Sequence, residues 1–439
     1  MMSPAQDLTV AGATGSSTKM VILLTLAYAI AMIDRTILVL LIGPLQRDLQ
    51  ISDTQFGLLQ GAAFAAFYVL AGLPIGLAID RLPRVRIISA GLLLWSCATV
   101  ASAFAGGFAT LFAARVAVAV GEASLNPAAY SLLASTFPKA RLGKAIGIFS
   151  TGAAIGTGLA FLVGGALLAQ QRSYNDFVVP IIGPMHVWQL AFLVAGVPGL
   201  ILAAFISRLR EPTRQKQAKV PLAGRWWPFF LAHRRALLLV FGASSCQTML
   251  LYTFMTWSPA LLLRSHGFSG GQAGLALGLS NVVFGIAGFY SGGYLADRWW
   301  KQGRADAHMR VGFLAHCLIL PLGLLASLAT SWTLAVPALC LLNFLQFGTG
   351  PAAITGLQLM TPADLRGRSS AILLMATTMA GVGLGPLMVA LLNDYLFHSP
   401  AGVGLSMAIV VAVVTPLGII LFAKGRSAVA ARILAASPA

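Results

Sequence analysis

The sequence predicts an all-α integral membrane protein whose twelve transmembrane helices form two six-helix bundles. Three observations predict it. Apolar runs of about 20 residues, enough to cross about 30 Å of hydrocarbon, recur along the whole chain. Of its 439 residues, 58% are hydrophobic and only 9% charged, with a mean hydropathy of +0.85, whereas a soluble domain carries about 25% charged residues. Segments of the first half also reappear in the second. A water-soluble protein of this length could not hide so much apolar surface, which excludes soluble enzymes and nucleic-acid binders.

The first apolar run spans residues 20–44. It is no cleavable signal peptide, because its flank is long and polar, the run is too long, and Asp34 and Arg35 interrupt it. Helices 2 to 6 are expected at 54–79, 86–106, 109–136, 142–170 and 187–208. Residues 209–233 form the longest polar connection, and Trp226–Trp227 beside its basic residues reads as an interfacial anchor. Helices 7 to 12 are expected at 234–264, 269–297, 308–330, 332–360, 367–396 and 402–424. The organisation is thus an N-terminal tail (1–19), a first bundle (20–208), a central loop (209–233), a second bundle (234–424) and a C-terminal tail (425–439). Both tails read as disordered or peripheral.

The formal net charge of +17 has its explanation in where the charges fall. Of the 29 Lys and Arg residues, 24 lie on the side that holds the two termini, and only Arg47, Arg172 and Arg264 lie on the other. Such a bias places the termini, the central loop and both tails in the cytoplasm. No nucleic-acid partner is needed to account for the charge. Cys97, Cys246, Cys317 and Cys340 sit inside apolar runs, with no CxxC pair, and read as buried or lipid-facing thiols.

Two stretches carry the internal repeat. NPAAYSLLASTFPKARLGKAIGIF from Asn126 aligns with GPAAITGLQLMTPADLRGRSSAIL from Gly350, and GLAIDRLPR from Gly76 answers GYLADRWWK from Gly293. Duplicated six-helix halves point to a transporter with its substrate path where the halves meet. On these motifs the chain resembles the major facilitator superfamily over roughly residues 20–424. Its Asp34–Arg35 pair and its Arg115…Gly121–Glu122…Asn126–Pro127 run resemble the Spinster branch, which includes sphingolipid and lysophospholipid transporters. The resemblance implies that Gly76, Asp80, Arg81 and Arg84, with a degenerate copy at Gly293, Asp297 and Arg298, form a cytoplasmic gate motif. Asp80 would cap the positive end of helix 11 near Gly367. Arg81 and Arg84 would hold neighbouring helix ends and lipid phosphates, and Asp297 would face the start of helix 5 near Gly143.

Four charges lie deep within the expected spans: Asp34, Arg35, Arg115 and Glu122. A charge at membrane depth costs on the order of 3 kcal/mol even on the mildest scale, so each is a functional candidate. By helical rise the two acids fall in nearly the same layer, and Arg115 lies two turns from Glu122 on one face. The set reads as a proton-coupling site; a static salt-bridge cluster and a headgroup-binding site are the alternatives. The second half has no such charges. The candidate substrate-cavity residues are Asn126 and Tyr130 in the first half, with Thr248, Tyr252, Asn281, Asn343 and Gln346 in the second. A cavity charged on one side and apolar on the other suits an amphiphile.

Helix 5 carries Gly147, Gly152, Gly156, Ala160 and Gly164, a small-residue face for close packing. It is similar to the superfamily's antiporter motif, but Thr157 stands where that motif has proline, so packing is the reading. Gly381–Val–Gly–Leu–Gly–Pro386 can supply a kink in helix 11. His316 reads as a structural histidine. No metal or nucleotide motif is present, so the expected driving force is a proton gradient, with no cofactor and no catalytic residue. The reading is a proton-coupled lipid transporter of a bacterial inner membrane, working as a monomer among membrane lipids. A carrier of small organic anions or drugs is the alternative, and a non-transporting receptor or scaffold the remote one.

Overall fold

The computed structural model describes residues 4–170, 177–179, 183–212, 223–362 and 365–436. Among them are twelve helices long and apolar enough to cross a membrane: α1 (Ser17–Leu40), α2 (Asp53–Ile79), α3 (Arg84–Ser102), α4 (Phe108–Thr136), α5 (Ala145–Ala169), α6 (Val187–Ser207), α7 (Trp226–Ser265), α8 (Gly270–Lys301), α9 (Ala307–Leu328), α10 (Trp332–Met360), α11 (Arg368–Phe397) and α12 (Pro400–Leu434). A short antiparallel hairpin, β1 (Phe177–Val179) with β2 (Gly183–Met185), joins α5 to α6.

Packing groups the chain into two units, residues 1–49 with 67–217, and residues 50–66 with 218–439. The opening turns of α2 therefore belong with the second unit, although the chain order puts them in the first. Two glycines make this possible. A Cβ at Gly57 would lie 2.9 Å from that of Ala390, and one at Gly61 would lie 2.7 Å from the Val382 carbonyl oxygen of α11. Phe56 also packs edge-on against Trp257 of α7, with centroids 6.1 Å apart.

Several spans depart from a straight helix, and in α4 and α11 the sequence shows why. Helix α4 breaks at Ala123–Ser124, between helical segments Phe108–Glu122 and Leu125–Thr136. Pro127 causes it, since it has no N–H for the Ala123 carbonyl and its ring crowds that residue. The Ser124 hydroxyl adds to the break by donating back to the Gly121 carbonyl at 2.7 Å. In α11 the glycine-rich run before Pro386 forms a π-turn at Thr378–Leu384. Three more π-turns lie in α2 at Leu58–Ala62, in α8 at Asn281–Gly285 and at the end of α11 at Leu392–Phe397. In α5, a Cβ at Gly152 would lie 2.5 Å from the Thr25 carbonyl oxygen, and one at Gly156 would collide with Ala29, so this face is the contact with α1.

The C-terminal tail differs from expectation. Within the described residues it is helical up to Ala436 as a continuation of α12, and Val429 and Ile433 are buried against Phe241, Met309 and Leu357. Those two residues are four apart and so share one helical face, which the sequence already contained. The N-terminal helix likewise runs back to Pro4. Helix structure resumes at Ala223 within the central loop, with a non-helical break at His233. Trp226 reaches Ser369 of α11 at 3.4 Å, while Trp227 stays exposed. Residues 213–222 of that loop lie outside the described residues. Cys246 is buried, Cys340 half-buried, and Cys97 and Cys317 exposed on apolar helices; all four are free.

Candidate functional site

The first unit brings the four intramembrane charges together as two ion pairs. Asp34 and Arg35 are consecutive on α1, so their side chains diverge by about 100° and take different partners. Arg115 donates to Asp34 Oδ1 at 3.0 Å, both side chains 1% exposed. Arg35 donates through Nε to Glu122 Oε2 at 2.5 Å. The pairs are not isolated, because Glu122 also senses the charges of Asp34 and Arg115. Glu122 is the last helical residue before the α4 break, so the break sits beside the carboxylate.

Each acid is only half satisfied. Asp34 Oδ2 and Glu122 Oε1 are buried and make no hydrogen bond among the described residues. A buried carboxylate oxygen without a donor is costly, and a proton is the smallest thing that relieves it. Tyr68 of α2, which sequence reasoning missed, lies under the Arg35 guanidinium, 5.2 Å from its Cζ to the ring centroid.

The other candidates fall into three groups. Asn126 and Tyr130 follow the α4 break; Asn126 Oδ1 is buried without a partner, and Tyr130, 40% exposed, packs edge-on against Phe149. In the second unit Thr248, Asn281 and Asn343 bond inside the bundle, whereas the buried Gln346 side-chain amide makes no hydrogen bond among the described residues. Thr248 donates to the Ser244 carbonyl at 3.0 Å, Asn281 to the Leu277 carbonyl at 2.9 Å, and Asn343 to Ser280 at 2.8 Å. Gln346 is buried and its backbone carbonyl accepts from Gln247 at 2.7 Å, while Tyr252 is half-buried on α7.

In the loop motif, Gly76 has open space around it, Arg81 is exposed, and the Asp80 side chain lies outside the described residues, as do Gly143 and Gly367 beyond their backbone. Arg84, expected at neighbouring helix ends and lipid phosphates, takes protein partners, one of them near the end of α4. Its guanidinium is buried and committed to protein, at 2.7 Å to Glu211, 3.0 Å to the Ser131 carbonyl and 3.3 Å to the Pro212 carbonyl. Glu211 in turn accepts from Val85 N at 2.9 Å, a carboxylate on the positive end of α3. In the second copy Gly293 is unobstructed and Asp297 and Arg298 are exposed.

A network the sequence did not reveal lies in the second unit. Asp53, in the first turn of α2, is 4% exposed and bonds Arg264 of α7 through both oxygens, at 2.8 Å each. Asn393 of α11 donates to Asp53 at 2.9 Å and accepts from Ser406 of α12 at 2.7 Å. Asp394 receives the Thr54 backbone N–H at 2.6 Å.

Twelve spans carrying a charged quartet inside one set of helices are the build of a secondary transporter. The comparisons agree. The profile of the Major Facilitator Superfamily matches residues 24–386, so the chain belongs to that superfamily; it is a transporter, not an enzyme. It is 28% identical to an MFS-type efflux pump of Mycolicibacterium smegmatis over 370 residues, covering 83% of this chain and 81% of the pump. It is 24% identical to a D-galactonate transporter of Escherichia coli, covering 88% of this chain and 91% of that one. Its fold matches a bacterial homolog of the human lysosomal transporter Spinster in an inward-facing, unoccupied conformation. That match has a TM-score of 0.82 and 26% identity, and covers 97% of this chain and 99% of the other. The chain is Spinster-like within its superfamily.

Proposed function

We propose that the protein is a proton-coupled secondary active transporter that moves an amphiphilic lipid, of the sphingolipid or lysophospholipid type, by alternating access. The observation that carries the coupling is the half-satisfied quartet: two buried carboxylates, each with one oxygen held by an arginine and the other without a donor. Protonating either acid weakens one arginine pair, which changes the relative energy of conformers that hold and release it. No cofactor enters this scheme; the proton gradient supplies the work.

The amphiphile follows from asymmetry. The first unit holds the four intramembrane charges, while the second carries none at that depth and its Asn281 and Asn343 bond within its own bundle, which supports a substrate that is charged at one end and apolar along the rest. The resemblance of Asp34–Arg35 and of the Arg115 to Pro127 run to the Spinster branch, which includes sphingolipid and lysophospholipid transporters, points to the same substrate class. A carrier of small organic anions is the second reading, favoured by the sugar-acid transporters among the relatives. The Lys/Arg bias supports cytoplasmic termini, and the bacterial relatives support an inner membrane; a monomer is part of the proposal.

Purified protein in liposomes, given a lysophospholipid, D-galactonate, an organic cation and a neutral sugar with and without a pH gradient, tests the proposal. Gradient-driven accumulation of the lysophospholipid alone is expected. Accumulation of galactonate or the cation instead would establish the second reading, and gradient-independent uptake would remove proton coupling.

A further inference from the structure

We propose that Tyr68 is a positioning residue for Arg35, its ring holding the guanidinium against Glu122 and carrying the loss of that ion pair into helix α2. The inference rests on the proton-site reading above. A guanidinium bonds a carboxylate through its edge and leaves its faces free, so Arg35 can pair with Glu122 and stack on Tyr68 together. Such stacking strengthens when the cation is withdrawn from water, and the Arg35 side chain is only 14% exposed.

The groups facing Glu122 are few. From α1 come Asp34 and Arg35, from α4 itself Arg115, and α3 brings Gly91 and Trp95 to the neighbouring turn without a charge. Tyr68 is thus the one contribution of α2 to this charge cluster among the contacts described, and it also senses Tyr130. When Glu122 takes a proton, the attraction between edge and carboxylate falls and the stacking on Tyr68 is unchanged. The balance of forces on Arg35 then moves toward α2.

Helix α2 is placed to respond. Tyr68 lies two residues past the point where the helix changes units, residues 50–66 grouping with the second. The π-turn Leu58–Ala62 stands just before that point, a place where the helical ladder is already interrupted. Beyond it, the first turn is fixed by Asp53 to Arg264 and Asn393. A change at Arg35 therefore reaches a helix held firmly at its far end and loosened in between.

Infrared difference spectra of the purified protein in phospholipid vesicles, taken over a pH series, test this without any transported substrate. The protonated-carboxyl band that disappears in Glu122→Gln gives the Glu122 midpoint. Tyr68→Leu is expected to raise that midpoint by about one pH unit, because a loosened Arg35 stabilises the carboxylate less. Tyr68→Phe, which keeps the ring, should titrate as wild type. A wild-type midpoint in Tyr68→Leu would overturn the proposal, as would an equal shift in Tyr68→Phe, which would assign the effect to the hydroxyl. Should Tyr68→Leu fail to purify as a monodisperse protein, Tyr68→Met carries the same test at similar volume. A Glu122 band present but insensitive to Tyr68 removes this inference alone. No Glu122 band at any pH removes the proton-site reading together with it.

Discussion

At the scale of single residues, the arginines decide what the acids can do. Arg35 meets Glu122 through Nε, with the Tyr68 ring 5.2 Å from its Cζ. Lysine keeps the charge but neither the fork nor the stacking face. Arg35→Lys should therefore lose gradient-driven accumulation nearly as fully as Arg35→Ala, measured as uptake in liposomes; full transport by the lysine variant would reduce Arg35 to a counter-charge. Asp34→Asn and Glu122→Gln should each abolish accumulation, and the double variant should be no worse than either, because coupled sites act as a pair. Additive partial losses would argue for two independent roles. The four charges were legible in the sequence, since a charge inside an apolar run announces itself. Their pairing was legible only in part. One residue of rotation moves a side chain by about 100°, which turns Arg35 away from Asp34 and within reach of Glu122, but no spacing along the chain tells that Arg115 takes Asp34. Tyr68 left no signal at all, because one tyrosine in an apolar helix reads as ordinary packing.

At the scale of elements, ion pairs fix how helix ends meet. Between α8 and α9, Asp306 accepts from Arg310 at 3.1 Å and from Arg426 at 2.8 Å. Partial burial works to raise the Asp306 carboxyl, but the hydrogen bonds and charges of Arg426 and Arg310 outweigh it and hold it below the usual carboxylate range. A carboxyl depressed by folding stabilises the protein above its unfolded pKa and loses that contribution as pH falls through the folded value. Asp306→Asn should accordingly lower the melting temperature near neutral pH, and the difference from wild type should close as the solution is acidified below the carboxylate range. A difference that persists in acid would assign the effect to packing. Glu211 shows why such contacts escape the sequence. It reads as part of a polar loop, yet the fold sets it on the N-terminus of α3 with Arg84. The π-turn at Thr378–Leu384 and the break in α4 were better marked, by Pro386 and Pro127, though a proline alone does not say whether a helix will kink, bulge or stop.

At the scale of the whole molecule, twelve spans and the duplicated halves were legible because hydropathy and repetition are properties of one sequence. The grouping of residues 50–66 with the second unit was not, since Gly57, Gly61 and Asp53 acquire meaning only beside α7 and α11. That packing has an energetic consequence. Arg264→Ala would strand the buried Asp53 carboxylate, at a cost of about 3 kcal/mol or more, whereas Asp53→Asn with Arg264→Met should recover much of the loss. Thermal unfolding in detergent reads both, and equal destabilisation by the single and double variants would mean the pair matters for shape rather than charge. The gate reading of the loop motif predicts that Asp80→Asn shifts the protein toward the inward-facing state or reduces transport; wild-type behaviour in both respects would remove the latch. The central claim, that the quartet of Asp34, Arg35, Arg115 and Glu122 carries the proton, is tested most directly by proton flux. Liposomes with an entrapped pH indicator should show substrate-dependent proton movement when a lysophospholipid is added to the wild-type protein, and none with Glu122→Gln. Proton movement of equal size in Glu122→Gln, or lysophospholipid transport by the wild type with no proton movement, would contradict it.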